Sequence, residues 1–407
     1  MPAQHLPRRM HLIYKTARDF YTDALPAVTA TPDDASYLDV ASLKAALDLD
    51  SCPVPAWLPD RQSQTLFGAL AAPYNRIRFV RERVNTPDGD FIDLDWNTPA
   101  LQLRSKRKQD PALAHTAAVR WITPADQEQL NSGATQPALV LLHGLEGSSQ
   151  SRYAQSITQH FLALGWLVVV AHFRGCSGFP NRLARAYHSG DSEEISFILD
   201  TVHQRAPNAR WHAIGVSLGG NALLKRLGEA PTQFNWLQAA AAISAPLDLV
   251  AAGNHLSDNL FNREIYSRYF LCTLKPKVLE KSRRFPGVID VMRMNQARDL
   301  RDFDNAYTAP MHGFKDATDY WQQSSSKPWL KNILTPTLVL NARNDPFLPE
   351  QVLPGPDYGS ANIVFHQPAQ GGHVGFVTGM WPGNLTWLPT RLAAFFAAVK
   401  QRGSLRT

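Results

Sequence analysis

Trp211-His212-Ala213-Ile214-Gly215-Val216-Ser217-Leu218-Gly219-Gly220-Asn221 is the stretch on which the fold turns. Trp211 to Ile214 is a short apolar run bounded by Pro207 and Asn208 before it and Gly215 after it, as suits a buried parallel strand. Leu223, Leu224 and Leu227 then recur on one helical face, and Gly228 is placed as a stop. The join is Gly215-Val216-Ser217-Leu218-Gly219, a G-x-S-x-G pentapeptide. Glycines suit a strand-to-helix turn too tight for flanking side chains, in which a strained serine exposes its Oγ. Three matched positions recur by chance in roughly one chain in ten of this length, so the surrounding sequence decides.

Outward from the elbow, strand and helix patterns alternate. Ala138 to Leu142 is an apolar run ending at His143-Gly144, followed by Tyr153, Ile157, Phe161 and Leu164 at helical spacing. Leu167 to Phe173 is a second such run, and Asp191 with Glu194 forms a capping signal for a helix to about His203. Ala239 to Ile243, Pro336 to Asn341 and Asn362 to Phe365 supply further strands, before an amphipathic helix from about Leu388 to Lys400. Such alternation predicts an α/β fold with a mostly parallel sheet flanked by helices.

Ile77 to Asn85 and Phe91 to Trp96, around Thr86-Pro87-Asp88-Gly89-Asp90, read as a β-hairpin at the start of that sheet. Asn97 to Gln136 is a polar excursion. Residues 1–70 read as an N-terminal arm packed on the core, with helical patterns ending near Leu25 and across Ala41 to Leu49. Residues 71–246 and 331–407 are the two parts of the core. Residues 247–330 show helical pieces and no strand, so they are expected to form a helical cap inserted between late strands.

Composition excludes several alternatives. The excess of 41 basic over 35 acidic residues gives a net charge of only +6, spread along the chain, so nucleic acid is not an expected partner. Arg104, Lys106, Arg107 and Lys108 read as a solvated loop. Leu237 to Gly253, the nearest approach to a membrane span, contains Pro246 and Asp248, so no transmembrane segment is expected. Cys52, Cys176 and Cys272 are odd in number and widely spaced, which suggests neither a disulfide framework nor a metal site. The N-terminal basic residues Arg8, Arg9, Lys15 and Arg18 lack an apolar signal core, and a cytoplasmic location follows by default.

The chemistry follows from Ser217. A serine hydroxyl needs a base, and that base needs a carboxylate to fix its tautomer, in the chain order Ser, acid, His for this elbow. Of 13 histidines, His373 follows the last strand in the glycine-rich Gln370-Gly371-Gly372-His373-Val374-Gly375-Phe376. Asp345, at the carboxyl end of the preceding strand in Asn344-Asp345-Pro346-Phe347, is the expected acid; Asp248 is the alternative, and Asp345 can also be read as a turn opener before Pro346. Backbone amides of Leu145 and Leu218 are the expected oxyanion donors, supported by His143, Gly144, Gly215 and Gly219. Arg174 reads as an ion-pair partner and Cys176 as a small apolar filler. Lys275, Lys277, Lys281, Arg283, Arg284 and Arg293, against Glu280 and Asp290, read as a solvated helix face, with an anionic substrate or lipid surface as the alternative. No metal or cofactor is expected.

Longer blocks carry a resemblance. Trp57-Leu58-Pro59 with Gln64-Thr65, His143-Gly144-Leu145-Glu146-Gly147-Ser148, Phe173-Arg174-Gly175-Cys176-Ser177-Gly178, Tyr187-His188-Ser189-Gly190 and the elbow come first. Thr308-Ala309-Pro310, His312-Gly313-Phe314, Asn344-Asp345-Pro346-Phe347 and Gly371-Gly372-His373-Val374-Gly375-Phe376 follow. Over about residues 50 to 400 the chain resembles the YheT-like branch of the α/β-hydrolase superfamily. The resemblance implies that fold, a triad of Ser217, Asp345 and His373, and esterase, lipase or alcohol acyltransferase activity on short or medium acyl chains. The expected partner is a small-molecule ester, lipid-like esters among them. Hydrolysis, acyl transfer and a non-catalytic binding role on the same fold remain open, as does oligomeric state.

Overall fold

The apolar runs on either side of the elbow pair into one sheet. A computed structural model describes residues 51–99, 101, 119–131, 135–355 and 357–404. Within them β1 (Phe79–Asn85), β2 (Phe91–Asn97), β3 (Val119–Trp121), β4 (Pro137–Leu142), β5 (Leu167–His172), β6 (Arg210–Val216), β7 (Ala239–Ile243), β8 (Thr337–Leu340) and β9 (Ile363–His366) form a sheet in the order β3-β1-β2-β5-β4-β6-β7-β8-β9. β2 runs antiparallel to β1 and β5, and every other neighbouring pair is parallel. The fold is α/β, a mostly parallel sheet flanked by helices.

The period-2 alternation of side chains explains why the central strands read as unbroken apolar runs. In β4, Ala138, Val140 and Leu142 enter one apolar cluster while Leu139 and Leu141 enter another, and β5 divides in the same way. On the first face the helices Ser192–Arg205 and Leu218–Glu229 contribute Ile195, Ile198, Leu199, Leu223, Leu224 and Leu227. On the second, Arg152–Ala163 and Trp387–Ser404 contribute Ile157, Phe161, Leu388, Leu392, Phe395 and Phe396. Both faces are covered, so the carboxyl ends of β4 to β9 are where loops carry functional groups.

Between β7 and β8 the chain leaves the sheet and returns to the adjacent position, with Ala240 paired to Thr337. The helices Leu249–Asp258, Arg268–Arg284, Val291–Gln296 and Ala317–Ser324 lie in this stretch, with shorter turns. Asp248, Asp290, Asp299 and Asp316 each accept the amide three residues on, an N-cap device repeated four times. Leu271, Leu274, Val278, Met294, Phe303 and Tyr307 are among the residues that give the stretch its own buried cluster.

Two stretches differ from expectation. The polar excursion holds edge strand β3 and the helix Pro124–Leu130, whose Thr123–Asp126 capping box is tied to Arg120 by a 2.5 Å ion pair. The arm contains the helix Arg61–Leu70, capped by Asp60, which lacks a sustained apolar period in the sequence. The helical patterns near Leu25 and 41–49, and the basic cluster at Arg104–Lys108, lie outside the described residues. No described helix is long and apolar enough to cross a membrane.

Candidate active site

β6 ends against Ser217, which adopts φ 52°, ψ −118°. A non-glycine residue in that region costs about 1–3 kcal/mol and persists only where its surroundings enforce it. Here the Ser217 amide donates to Ile243 O at 2.8 Å, tying the elbow to β7, and its carbonyl receives the Asn221 amide at 3.0 Å. The flanking glycines are steric requirements: a Cβ at Gly215 would lie 2.5 Å from Gly219 O, and one at Gly219 would lie 2.6 Å from His143 O.

The structure brings Asp345, His373 and Ser217 into one line of hydrogen bonds. His373 Nδ1 is 2.8 Å from Asp345 Oδ2, and Nε2 is 3.0 Å from Ser217 Oγ. An ionised carboxylate can only accept, so the ring proton belongs on Nδ1, and Nε2 is left to accept from the serine hydroxyl. Asp345 is fully buried; its Oδ1 takes the Phe347 amide at 2.8 Å, which holds it as an acceptor. Asp248, the alternative acid, is engaged elsewhere, accepting the Ala251 amide at 3.1 Å and facing Lys327 Nζ at 3.4 Å.

The histidine loop is anchored from distant parts of the chain. Gly371 donates its amide to Gln64 Oε1 at 3.0 Å, Gly372 to Asn344 Oδ1 at 3.0 Å, His373 to Thr65 Oγ1 at 2.9 Å, and Val374 to Ser244 Oγ at 3.0 Å. Gln64 Oε1 also receives Asn344 Nδ2 at 2.8 Å, so one side chain joins the acid-bearing and histidine-bearing loops. Sequence reasoning gave Gln64, Thr65, Asn344 and Ser244 no role. Gln64-Thr65 and Asn344 stood in blocks that carry the resemblance, the only signal for them, while Ser244 carried none.

After β4 the chain forms a loop that lies against the elbow. His143 is fully buried, and burial, reinforced by the nearby His172, pushes its imidazole down to about 3, so it is neutral. Its Nε2 accepts the Phe173 amide at 3.1 Å, which leaves Nδ1–H to donate to Gly144 O at 2.8 Å. Gly144 O also receives the Gly147 amide at 2.9 Å. In a trans peptide C=O and N–H point oppositely, so pinning this oxygen aims the Leu145 N–H the other way. The amides on either side are taken by tyrosine hydroxyls, Gly144 by Tyr153 at 3.0 Å and Glu146 by Tyr187 at 2.9 Å. A Cβ at Gly144 would sit 3.1 Å from Ser217 Cβ, which places the loop directly against the serine. Leu218 is the first residue of the helix after Ser217, and its amide is one of the orphan donors of a helix start.

These groups open on a cavity of about 330 Å³ whose wall includes Ser217, His373, Leu145 and Leu218. Leu249, Leu256, Phe270, Leu274 and Val278, from the stretch between β7 and β8, make much of the remainder apolar. Arg174 is held by Glu194 at 2.6 Å and Asp88 at 2.8 Å, an ion-pair role. Burial pushes the Cys176 thiol up to about 12, which suits a packed side chain rather than a thiolate. The basic residues expected on a solvated face are in part inward: Lys277 and Lys281 line the cavity, and Lys281 donates to the carbonyls of Ala184 and Arg185. Among the described residues there is no cluster of metal-ligating side chains.

Residues 137–379 match the family model for the alpha/beta hydrolase fold. The chain is 36% identical over 313 residues to the putative esterase YheT of Escherichia coli, covering 76% of this chain and 82% of that protein. It is 28% identical to the mouse phospholipase ABHD3, with 87% and 82% covered. It is also 28% identical to the medium-chain fatty acid ethyl ester synthase/esterase 2 of Saccharomyces cerevisiae, with 79% of each covered.

Proposed function

Because the chain belongs to the α/β-hydrolase fold family, in its YheT-like branch, we propose that it is a serine hydrolase of carboxylic esters with Ser217, His373 and Asp345 as its triad. The observation that carries the reading is the line of hydrogen bonds from Asp345 through His373 to Ser217, at 2.8 and 3.0 Å. Relatives named as esterase, phospholipase and ethyl ester synthase/esterase support an ester as the substrate.

In this mechanism His373 Nε2 removes the hydroxyl proton as Ser217 Oγ bonds to the acyl carbon. The carbonyl electron pair moves to oxygen, and the amides of Leu145 and Leu218 stabilise the resulting oxyanion, each by roughly 3 kcal/mol. Asp345 stabilises the imidazolium without taking its proton. When the oxyanion collapses, the ester C–O bond breaks and His373 gives its proton to the departing alcohol. Water, deprotonated by the same histidine, then releases the acid and restores Ser217.

A fluorophosphonate probe tests this directly. The protein labels at Ser217, and Ser217→Ala abolishes labelling and lowers turnover by several orders of magnitude, on the order of a million-fold. No labelling of the unaltered protein, or a turnover loss below about tenfold in the variant, defeats the reading and favours a non-catalytic role for the fold. The yeast relative whose name includes both synthase and esterase motivates a second reading, acyl transfer to an alcohol. Added ethanol then diverts product from free acid to ethyl ester.

A further inference from the structure

The residue after the proposed oxyanion donor Leu145 is fastened to the helical stretch over the cavity. Glu146 has φ 56°, a left-handed backbone that a residue with a side chain keeps only under external constraint. Its constraint is a closed set of polar contacts. The Glu146 amide donates to Tyr187 Oη at 2.9 Å, and that hydroxyl donates back to Glu146 Oε1 at 3.1 Å. Lys277 Nζ, from the helix Arg268–Arg284, lies 2.9 Å from Oε1 and 2.8 Å from Oε2. Tyr187 is itself fixed by stacking on Phe173, with ring centroids 5.4 Å apart and planes 6° from parallel. An independent contact reaches the same place: the Leu145 side chain packs on the cluster containing Leu271, Leu274 and Val278 of that helix.

Charge gives the ion pair a second consequence. The Glu146 side chain is only 7% exposed, while that of Lys277 is 43% exposed. Deleting the lysine leaves a poorly solvated anion one residue from the amide that must stabilise a developing oxyanion, and like charges that close oppose each other. Retaining the lysine neutralises that anion and keeps the left-handed turn in register.

Resting on the triad reading above, the geometry points to Lys277 as a positioning residue, which holds the Leu145 amide for the oxyanion through its ion pair with Glu146. The helix over the cavity is thereby part of what makes the loop below it competent, besides shaping the space for substrate.

The test compares Lys277→Met, Lys277→Arg and the exchange Glu146→Lys with Lys277→Glu, using an aryl ester, a trifluoromethyl ketone and the melting temperature. The ketone's adduct with serine carries an oxyanion, so its affinity reports the donors. Lys277→Met lowers kcat by ~10- to 100-fold with KM within about twofold, and weakens the ketone by the same factor. Lys277→Arg restores most of both, and the exchange restores part, at melting temperatures close to the parent's. An unchanged kcat in Lys277→Met, a rise in KM alone, or losses that follow melting temperature with no rescue by arginine would overturn the assignment while Ser217 still labels. Absence of fluorophosphonate labelling in the unaltered protein overturns the triad reading and this assignment with it.

Discussion

Phe347 lies flat against the imidazole of His373, with ring centroids 3.9 Å apart and planes 16° from parallel. The same residue donates its amide to Asp345 Oδ1 at 2.8 Å, so one position supports both proposed partners of the serine. Its ring also packs with Ala252, Leu256, Tyr266 and Leu348, which couples the histidine's orientation to helices between β7 and β8.

Phe347→Leu keeps the amide and most of the volume but removes the stacked ring, an interaction worth about 0.5–1.5 kcal/mol. The expected result is a kcat lower by about three- to tenfold with little change in KM, read by steady-state hydrolysis of an aryl ester. Full kcat in that variant would make the ring mere packing.

The two candidate acids separate cleanly. Asp345→Asn should lower kcat by on the order of 10⁴-fold, because an amide facing His373 Nδ1 no longer favours the tautomer whose Nε2 accepts from Ser217. Asp248→Asn should stay within about twofold, since asparagine caps a helix as well as aspartate does. The reverse ranking would move the acid to Asp248.

Gln64→Leu removes the shared acceptor of Gly371 N and Asn344 Nδ2, and with it the Gln64 Nε2 donor to Leu58 O at 3.0 Å. Two buried groups, Gly371 N and Leu58 O, are left unpaired at about 1–3 kcal/mol each, so chemical denaturation should show a loss of about 2–6 kcal/mol. Turnover should also fall at temperatures far below melting, because the loops carrying Asp345 and His373 lose their common tie. Lowered stability with unaltered turnover would assign Gln64 to the scaffold alone.

Acid should destabilise the fold already above the ordinary carboxylate range. Burial pushes His143 and His312 down to about 3 and His160, His188 and His212 down to about 4, from an ordinary 6.5. Between those values the unfolded chain binds protons that the folded chain refuses, so stability present above about pH 6.5 is lost as pH falls toward 4. The slope is up to about 1.4 kcal/mol per pH unit for each histidine. Burial raises Asp304 to about 6 and Glu194 to about 7, which acts in the opposite sense, but two groups oppose five. Denaturant titrations from pH 7.5 to 4.5 check the sign, and His160→Gln should flatten the curve. Stability that rises on acidification would contradict the burial argument.

What was legible in the sequence was local. β6, the elbow and the helix after it announce themselves within twenty residues, and each strand of the parallel region is an apolar run because both of its faces are covered. Ser217, Asp345 and His373 could be named because each sits in a loop immediately after such a strand, and their polar atoms do meet in space. What was illegible was the support. Gln64 and Thr65 act through side-chain bonds to residues more than 300 positions away, and no periodicity encodes such a contact. Tyr153 carried helical spacing, which hid the hydroxyl that takes the Gly144 amide. β3, only three residues long, is set by its pairing with β1 rather than by an apolar pattern of its own.

The tie between Gln64 and the histidine loop also has a timing. The two are 307 residues apart, and a ribosome adding about 5–20 residues per second needs about 15–60 s to cover that span. Only in the later part of that interval, once Ser217 has been made, does a nascent chain carry the elbow, and it then still lacks His373, the base proposed to arm the serine. Under the proposed mechanism, incomplete chains and any truncation before His373 therefore lack the base and should not cleave esters.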